Sequence, residues 1–226
     1  MGDDMTDGRL VIGTRRYSSW SLRGWLVVRA AGLDVEEIVI PIAGGGGTAG
    51  IKAVSPNGLV PYLEHRGARV WESLAIGEYC AEIAPALWPS DRVVRAQARS
   101  IAAEMHAGFR ALRIAMPMNL GRDARPLADG LTPEVVADIA RIDAIWSETR
   151  AAFGAGGPYL FGSVLTVADA MYAPIVARFL SYGVALSPPA AEYAAALRAH
   201  PLMVQWYAEA AAEPESWRLD RYESVP

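Results

Sequence analysis

Cysteine is almost absent from this sequence, since Cys80 is the only one among 226 residues. A single thiol cannot form an internal disulfide framework, and such scarcity is typical of proteins from a reducing compartment. Apolar runs are short, and none approaches the ~18 residues that a membrane-spanning helix requires. The first residues, Met-Gly-Asp-Asp-Met-Thr, are acidic and lack the basic and apolar regions of a signal peptide. We therefore expect a cytoplasmic protein that does not insert into a membrane.

The sequence also lacks an excess of basic residues. Its 21 Lys and Arg are outnumbered by 25 Asp and Glu, which gives a formal net charge of −4, and the basic residues are scattered through both halves. A nucleic-acid-binding face is therefore not expected. Hydrophobic residues make up 52% of the chain, which predicts a packed globular protein and not a disordered one.

Motifs of several common sites are missing. The three histidines, His65, His106 and His200, have no metal-ligand spacing, so no metal site is predicted. The sequence has neither the Gly-Lys-Ser/Thr of a phosphate-binding loop nor the Gly-x-Ser-x-Gly elbow of a serine hydrolase. The glycine run at residues 44–47 matches the dinucleotide fingerprint in part, but the helix after it would end at Pro56, too early for a Rossmann crossover. We interpret it as a flexible loop.

Residues 9–86 show a strand-and-helix pattern, after a lead-in at residues 1–8 that we expect to be disordered. Apolar alternation and helical spacing predict strand, helix, strand, helix, strand, strand and helix, in this order. The predicted strands are residues 10–13, 35–42, 59–64 and 69–71, and the predicted helices are 19–31, 48–54 and 72–84. This order predicts a small α/β domain.

The second part of the chain shows no strand pattern. After a linker at residues 87–91, residues 92–226 are predicted to be all-helical. The helices are expected at 91–116, at 132–153 with Thr132 as N-cap and Pro133 after it, at 166–183 with Pro174 inside, at 190–199 and at 202–212. The predicted fold class is therefore an α/β domain followed by an all-α domain.

The chemistry is predicted to lie in the stretch Tyr17-Ser18-Ser19-Trp20-Ser21-Leu22-Arg23. This stretch joins the first strand to the first helix, so its serines are suited to cap that helix. A helix N-terminus presents unpaired N–H groups and the positive end of the helix dipole, and both favour a bound anion. The stretch is therefore a candidate anion site.

Trp71-Glu72-Ser73 forms a second strand-to-helix junction. The simplest interpretation is a helix cap, with Ser73 accepting first-turn N–H groups and Glu72 favoured by the dipole. The functional interpretation is a second anion site, for a carboxylate, with Glu72 binding a nearby ammonium. Those two charges are the ones that an α-amino acid group presents.

Four segments together resemble the glutathione transferase family, and the resemblance covers nearly the whole chain. Ser18-Ser19-Trp20-Ser21-Leu22-Arg23 is similar to the Ser-Ser-Cys-Ser-x-Arg start of the zeta class, with Trp20 where that class has Cys. Ser55-Pro56-Asn57-Gly58-Leu59-Val60-Pro61 resembles the family's Asn-Pro-x-x-x-Val-Pro turn, in which the last Pro is cis. Trp71-Glu72-Ser73-Leu74-Ala75-Ile76 resembles its Glu-Ser-x-Ala-Ile segment, and Thr166-Val167-Ala168-Asp169 resembles the buried capping box of its helical domain.

The resemblance implies a thioredoxin-like first domain, an all-helical second domain, a homodimer, and glutathione as co-substrate for attack on a small electrophile. The thiol attacks as thiolate, which a helix N-terminus and a hydroxyl donor favour. Ser18 ranks first as this donor, Ser19 second and Tyr17 third. Arg23, one helical turn after Ser19, is expected either to add a positive field or to form an ordinary ion pair. Because Trp20 replaces the Cys that zeta enzymes use, maleylacetoacetate isomerase activity is not expected.

The resemblance also implies the contacts to glutathione. The segment Leu59-Val60-Pro61 would pair through the backbone before the proline with the cysteinyl part, and Glu72 with Ser73 would hold the γ-glutamyl group. Gly58 stands where many relatives have Lys or His near the glycyl carboxylate. That contact is therefore expected from Lys52 or from an arginine.

The electrophile is expected between the domains, at Trp20, Met105, Phe109 and Arg113. The spacing of Met105 and Phe109 fits packing in the core equally well. The arginine content favours an anionic or carboxylate substrate. Two other functions on the same fold stay open: a non-catalytic glutathione-binding or interaction module, and a glutathione-dependent disulfide reductase or peroxidase.

Overall fold

The computed structural model describes residues 6–44, 46–122 and 124–226. Residues 1–5 of the predicted lead-in and Gly45 of the glycine run therefore lie outside the described residues. Asp7 and Gly8 belong to the folded domain, because the N–H of Asp7 donates to the carbonyl of Asp34 over 2.8 Å and Gly8 begins the first strand. The prediction of disorder is wrong at these two residues.

A four-stranded mixed sheet forms the core of the first domain. Its strands are β1 (Gly8–Gly13), β2 (Glu36–Ile40), β3 (Tyr62–His65) and β4 (Ala68–Trp71), in the spatial order β2-β1-β3-β4. β2 runs parallel to β1, β3 is antiparallel to β1, and β4 is antiparallel to β3. The predicted order of elements is confirmed, with boundaries that differ by a few residues.

The described residues form helices in both domains. The first domain contains α1 (Ser19–Ala30), α2 (Ala49–Val54) and α3 (Ser73–Ile83), and the second contains α4 (Arg92–Ala107), α5 (Arg110–Ala115), α6 (Pro133–Phe153), α7 (Val167–Ser181), α8 (Pro188–Ala199), α9 (Pro201–Ala211) and the short α10 (Asp220–Glu223). The all-helical second domain is confirmed, although α10 was not predicted. Within the described ranges, no helix is both long and apolar enough to cross a membrane.

Helix α1 lies between the two domains. It packs against α3 on one side and against α7 of the second domain on the other. Its apolar residues Leu22, Trp25 and Leu26 are fully buried as a result. Trp25 also packs against Trp206 of α9, with ring centroids 5.2 Å apart. Because α1 is enclosed in this way, its N-terminal end has a fixed position relative to both domains.

The helix predicted at residues 91–116 is wrong as a single element, because it is broken into α4 and α5. The break falls at Gly108 and Phe109, where Phe109 adopts a left-handed backbone conformation with φ 59° and ψ 40°. Such a conformation costs energy for a residue with a side chain, and burial of the aromatic ring offsets that cost. The ring is only 8% exposed. Helix α5 is therefore separate, and it brings Arg113 to the space between the domains.

Candidate functional site

A cavity of about 740 Å³ lies between the sheet domain and the helical domain. Its walls come from the loop before α1, the loop after β2, the turn before β3, helix α5 and the segment 213–226, which we call the strap. The lining residues include Ser18, Ser19, Val60, Glu72, Arg113 and Arg178. The cavity thus brings together residues that are far apart in the sequence.

Ser18 is the N-cap of α1, as the sequence predicts. Its Oγ accepts the N–H of Ser21 over 3.3 Å and donates to the Ser21 hydroxyl over 2.7 Å. The Ser21 hydroxyl in turn accepts the N–H of Gly13 over 2.9 Å. The Ser18 side chain lines the cavity and is otherwise nearly buried. Because its one O–H proton is donated to Ser21 here, donation to an anion at the helix end requires the hydroxyl to rotate away from Ser21.

Tyr17 lines the cavity, but its hydroxyl is engaged elsewhere. It donates to the carboxylate of Glu223 and accepts the N–H of Leu219 over 3.2 Å. Burial and the bond to Glu223 raise the pKa of this phenol. Of the three predicted hydroxyl donors, Tyr17 is therefore the one that fastens the strap, and Ser18 and Ser19 are the two with hydroxyls at the N-terminus of α1.

The junction at Glu72 and Ser73 has an unsatisfied donor. The Oγ of Ser73 is buried and has no hydrogen-bond partner among the described residues, although it stands at the first position of α3. A buried hydroxyl without a partner costs about 1–3 kcal/mol unless a ligand satisfies it. The helix-cap interpretation is therefore wrong for the side chain of Ser73. The N-cap of α3 is Glu72, whose side chain makes no cap hydrogen bond either.

Glu72 is suited to bind a cation beside Ser73. It adopts a backbone conformation with φ 69°, which places a non-glycine residue in the left-handed region, and its side chain is 49% exposed at the cavity. The nearest ring nitrogen of His106 is 3.8 Å away. Burial lowers the pKa of His106, so at neutral pH it leaves the Glu72 carboxylate uncompensated. Glu72 therefore fits the ammonium of an amino acid group, whereas Ser73 is buried next to it and does not itself line the cavity.

The turn before β3 offers free backbone groups to the cavity. The Val60–Pro61 bond is cis, as the family resemblance implies. Among the described residues, neither the N–H nor the C=O of Val60 has a backbone partner. Leu59 and Pro61 line the cavity on either side of it. The predicted segment Leu59-Val60-Pro61 is thus in place to pair with an extended peptide-like ligand.

Arg178 is a site residue that the sequence interpretation missed. It lies in α7 of the second domain, is 5% exposed, and donates from Nη2 to the Oγ of Ser19 over 3.3 Å. Its other donors bind the carbonyls of Met116 and Pro174, at 2.8 and 3.3 Å. A signal existed in the sequence, because Asp169 is the only other charged residue of α7, and a charged residue in a mostly apolar helix is seldom buried unless it has a specific partner.

Arg23, Arg113 and Arg178 form a cluster without a carboxylate partner within 4.0 Å in the described ranges. Their hydrogen bonds go to backbone carbonyls instead, for example from Arg23 Nε to Met171 over 2.9 Å and from Arg113 Nη2 to His106 over 3.1 Å. Burial lowers the pKa of all three guanidiniums, that of Arg178 to about 10, so Arg178 is charged at neutral pH. The cluster creates a positive wall at the cavity.

Trp20 joins this positive cluster. The guanidinium carbons of Arg23 and Arg113 lie 4.7 and 4.8 Å from the centroids of its rings, which is the distance of a cation–π contact. Trp20 and Arg113 line the cavity, as predicted for the electrophile site. Arg23 does not line it, because its guanidinium is buried against the ring of Trp20.

Two models of one protein family match this chain. The model described as glutathione S-transferase, N-terminal domain, matches residues 17–83, and the model described as glutathione S-transferase, C-terminal domain, matches residues 125–209. The chain belongs to the glutathione S-transferase family. None of the curated protein sequences compared with it matches significantly.

Solved structures of glutathione transferases share this fold along their whole length. Maleyl pyruvate isomerase, described as a bacterial glutathione S-transferase of the zeta class, is 23% identical with a TM-score of 0.69, covering 92% of this chain and 99% of that one. A glutathione transferase homologue from Burkholderia with bound glutathione is 22% identical, with a TM-score of 0.68 and coverage of 91% and 99%. The theta-class enzyme from Xanthomonas axonopodis pv. citri, with glutathione bound, is 25% identical, with a TM-score of 0.65 and coverage of 90% and 98%.

Besides the buried Arg23 and Ser73, three residues predicted for the transferase site do not line the cavity. Met105 and Phe109 pack in the hydrophobic core and do not line the cavity, whose α5 wall is formed by Arg113, Ile114 and Ala115. Their apolar spacing therefore reflects packing of the helical domain. Lys52 is exposed and does not line the cavity either, because its stem packs beside Gly58, where a Cβ would lie 3.2 Å from Lys52 Cγ.

The one cysteine of this transferase-family chain is structural in character. Cys80 is fully buried on α3, and burial raises the pKa of its thiol to about 12. A thiol of this kind is not ionised at neutral pH and is a poor nucleophile. In the parts of the chain that the structure describes, no group of three or more His, Cys, Asp or Glu residues could hold a metal ion.

Proposed function

We propose that this chain is a glutathione transferase in which Ser18 stabilises the glutathione thiolate for attack on a small electrophile. The observation that carries the proposal is the position of the Ser18 hydroxyl, at the N-terminus of α1 and on the wall of the cavity that also exposes the Val60 backbone. A Cβ built on Gly13 would lie 3.5 Å from Ser18 Oγ and 3.3 Å from Val60 Cγ2. The Ser18 hydroxyl and the side chain of Val60, the residue that would hold the cysteinyl part, are therefore neighbours.

Glutathione fits the unsatisfied groups at the cavity wall and the buried hydroxyl of Ser73 directly beside it. The amino acid end of its γ-glutamyl group presents a carboxylate and an ammonium, which Ser73 and Glu72 would bind. The cysteinyl amide would pair with the Val60 N–H and C=O. Bound in this way, the sulfur faces the helix end, where the Ser18 hydroxyl and the dipole lower the pKa of the thiol.

The reaction then needs no further group on the protein to form a bond. The thiol proton is released to solvent, the thiolate sulfur forms a bond to the electrophilic carbon, and the leaving group departs with its electron pair. Ser18 keeps its own proton and stabilises the sulfur by a hydrogen bond. Its role is therefore electrostatic and not nucleophilic.

The positive wall supports an anionic electrophile. Arg113 and Arg178 line the cavity and have no carboxylate partner within 4.0 Å among the described residues, while burying an uncompensated charge is costly. A carboxylate on the substrate would neutralise this charge when it binds. The N–H groups of Arg178 are fixed by bonds to Ser19 and to carbonyls of Met116 and Pro174, so the guanidinium is preorganised.

The test compares Ser18→Ala with Ser19→Ala. Wild-type protein is expected to be stabilised thermally by glutathione and to conjugate an aromatic halide. Loss of one hydrogen bond to a charged sulfur costs about 1.5–3 kcal/mol, so Ser18→Ala should lower turnover about 10- to 100-fold and raise the thiol pKa, with little change in glutathione affinity.

The outcomes separate the candidate functions. If Ser19→Ala has the larger effect, Ser19 is the donor and the assignment to Ser18 is wrong. If wild-type protein binds glutathione without turnover of any electrophile, the non-catalytic binding module is supported instead. Absence of both binding and turnover would contradict the glutathione assignment itself.

The homodimer and the cytoplasmic location are also proposals, and they rest on the family resemblance. Light scattering of the purified chain measures the first, with a mass of twice 24.3 kDa expected for a dimer. Fractionation of the source cells measures the second.

A further inference from the structure

The glycyl carboxylate of glutathione still lacks a cation on the protein, and the strap contains one. The proposed contacts account for the γ-glutamyl end and the cysteinyl part, whereas Gly58 has no side chain and Lys52 does not line the cavity. Arg221 of the strap does line it, together with Gly44, Gly46 and Leu59 of the wall beside the Val60 turn. The cation at this wall therefore comes from the far end of the chain.

Arg221 lies directly against the glycine loop after β2. A Cβ on Gly44 would overlap the guanidinium of Arg221, so this close approach depends on the absence of a side chain at residue 44. Gly44 also has φ +78°, a conformation that side chains disfavour. The glycine loop and Arg221 thus meet at one edge of the cavity.

The charge of Arg221 is not neutralised within the protein. In residues 6–44, 46–122 and 124–226, its guanidinium donates to one group, the Tyr222 hydroxyl at 3.3 Å, and no carboxylate lies within 4.0 Å. The guanidinium carbon also lies 4.7 Å from the centroid of the Tyr222 ring. Several of its donors therefore remain available to a ligand carboxylate, which guanidinium binds in a bidentate manner.

The strap holds Arg221 in this place through Glu223, two residues further on. Glu223 accepts from Arg16 Nε over 2.7 Å, from Asn119 Nδ2 over 3.1 Å and from the Tyr17 hydroxyl. The carbonyl of Val225 accepts from Arg122 over 2.6 Å. These bonds fasten the strap at residues 223 and 225, just after Arg221, so the backbone position of Arg221 does not depend on its own side-chain contacts.

We infer that Arg221 binds the glycyl carboxylate of glutathione across the mouth of the cavity. This inference rests on the proposed function and adds a specificity-determining residue to it. The strap would then contribute to the glutathione site as well as to the wall of the electrophile site. A ligand without this carboxylate would gain nothing from Arg221.

The test measures binding of glutathione and of its glycyl amide to wild-type protein and to Arg221→Gln. Arg221→Gln is expected to weaken glutathione binding about 5- to 20-fold and to leave the affinity for the amide unchanged, because the amide has no charge for Arg221 to bind. Arg218→Gln is the matched control, since Arg218 lies on the same strap, pairs with Glu215 and does not line the cavity. It should leave both affinities unchanged.

A second pair of variants tests the contact with the loop. Gly44→Ala should displace the guanidinium and reproduce the selective loss of glutathione affinity. Gly46→Ala imposes similar backbone strain, at φ +71°, but its Cβ would meet Leu59 at 3.5 Å and not Arg221. Gly46→Ala should therefore keep the preference for glutathione over the amide.

The outcomes distinguish this inference from the proposed function. If wild-type protein binds glutathione but Arg221→Gln binds it equally well, or loses affinity for both ligands alike, the inference is overturned and the transferase proposal stands. If Lys52→Gln abolishes the preference instead, Lys52 is the cation and Arg221 is not. If wild-type protein binds neither ligand, both proposals are overturned.

Discussion

Arg178 of the helical domain donates a hydrogen bond to the hydroxyl of Ser19 over 3.3 Å, although 159 positions of sequence separate the two residues. Ser19 is the first residue of α1, so this bond places a buried cation at the helix end that already carries the positive end of a dipole. The two domains therefore contribute jointly to the positive potential of the cavity. The charge is preformed, since no carboxylate of the described residues lies within 4.0 Å of Arg178 and none has to be displaced before a substrate binds.

Replacement of Arg178 should change the preference for charged electrophiles. In Arg178→Met, kcat/KM for a carboxylate-bearing electrophile should fall about 10- to 100-fold, which corresponds to loss of one charge-assisted bond of about 1.5–3 kcal/mol. For a neutral electrophile of the same size the change should stay within about threefold. Steady-state kinetics with the matched pair of substrates measures this difference. Arg178→Lys keeps the charge and should therefore retain part of the wild-type preference for the carboxylate-bearing electrophile. An equal loss of kcat/KM for both electrophiles would show that Arg178 contributes only to packing and not to recognition of the substrate charge.

Glu223 should stabilise the protein in a pH-dependent manner. Burial opposes its ionisation, but donors from Arg16, Tyr17 and Asn119 outweigh burial and lower its pKa from 4.5 to about 2. The native state thus binds a proton less readily than the unfolded chain, so the stabilisation is complete above about pH 4.5 and is lost as the pH falls toward about 2. Glu223→Gln should lower the free energy of unfolding at pH 7 by about 1–2 kcal/mol, because part of the carboxylate faces solvent.

Denaturant unfolding at several pH values measures the Glu223 effect. The difference between wild type and Glu223→Gln should shrink between about pH 4.5 and pH 2, where only the wild-type carboxylate titrates. Glu215→Gln is the control, since its side chain is 84% exposed in an ion pair with Arg218 and should contribute little. A difference that does not vary with pH would show that the carboxylate charge is not the cause.

Asp169 should be required for folding and not for chemistry. Its buried carboxylate accepts the N–H of Leu160 over 3.0 Å, the N–H of Thr166 over 2.8 Å and the hydroxyl of Thr166 over 2.7 Å. Asp169→Asn would turn an NH₂ group toward one of these donors, so the free energy of unfolding should fall by about 2–4 kcal/mol.

The control for Asp169 is a second capping aspartate. Asp91 accepts the N–H groups of Val93 and Val94 at the exposed start of α4, where Asn caps a helix about as well as Asp. Asp91→Asn should therefore change the stability by less than about 1 kcal/mol. Urea unfolding compares the two variants, and turnover per folded molecule should be normal in both. Reduced turnover in folded Asp169→Asn would contradict a purely structural role.

Cys80 should be inert in the native protein. Because burial raises its thiol pKa to about 12, iodoacetamide should label it only after denaturation. Cys80→Ala should keep glutathione-dependent turnover within about twofold, apart from a modest loss of stability from the smaller side chain. Mass spectrometry of native and unfolded samples measures the labelling. Fast native labelling, or a disulfide-reductase activity that disappears in Cys80→Ala, would show that the protein thiol takes part in catalysis.

Local sequence signals predicted most of the architecture. The caps at Ser18 and Thr132, the capping box at Thr166 and Asp169, and the order of strands and helices all depend on neighbouring residues, and the structure confirms them. Glu72 and Val60 also belong to short motifs at element boundaries, and both line the cavity. Periodicity alone misplaced Met105 and Phe109, because helical apolar spacing does not say whether a face meets a core or a cavity.

The Ser18 stretch at the start of α1 could therefore be recognised from the sequence, since a helix N-terminus is formed by adjacent residues. The charges that surround it could not be recognised from the sequence. Arg178 and Arg221 reach the cavity through contacts between segments distant in the chain, and only the packing of α1 against α7 and the fastening of the strap by Glu223 brings them there. The break at Phe109 is likewise stabilised by burial of its ring. Local pattern thus determined which residues begin each element, whereas tertiary packing decided which charges face the ligand.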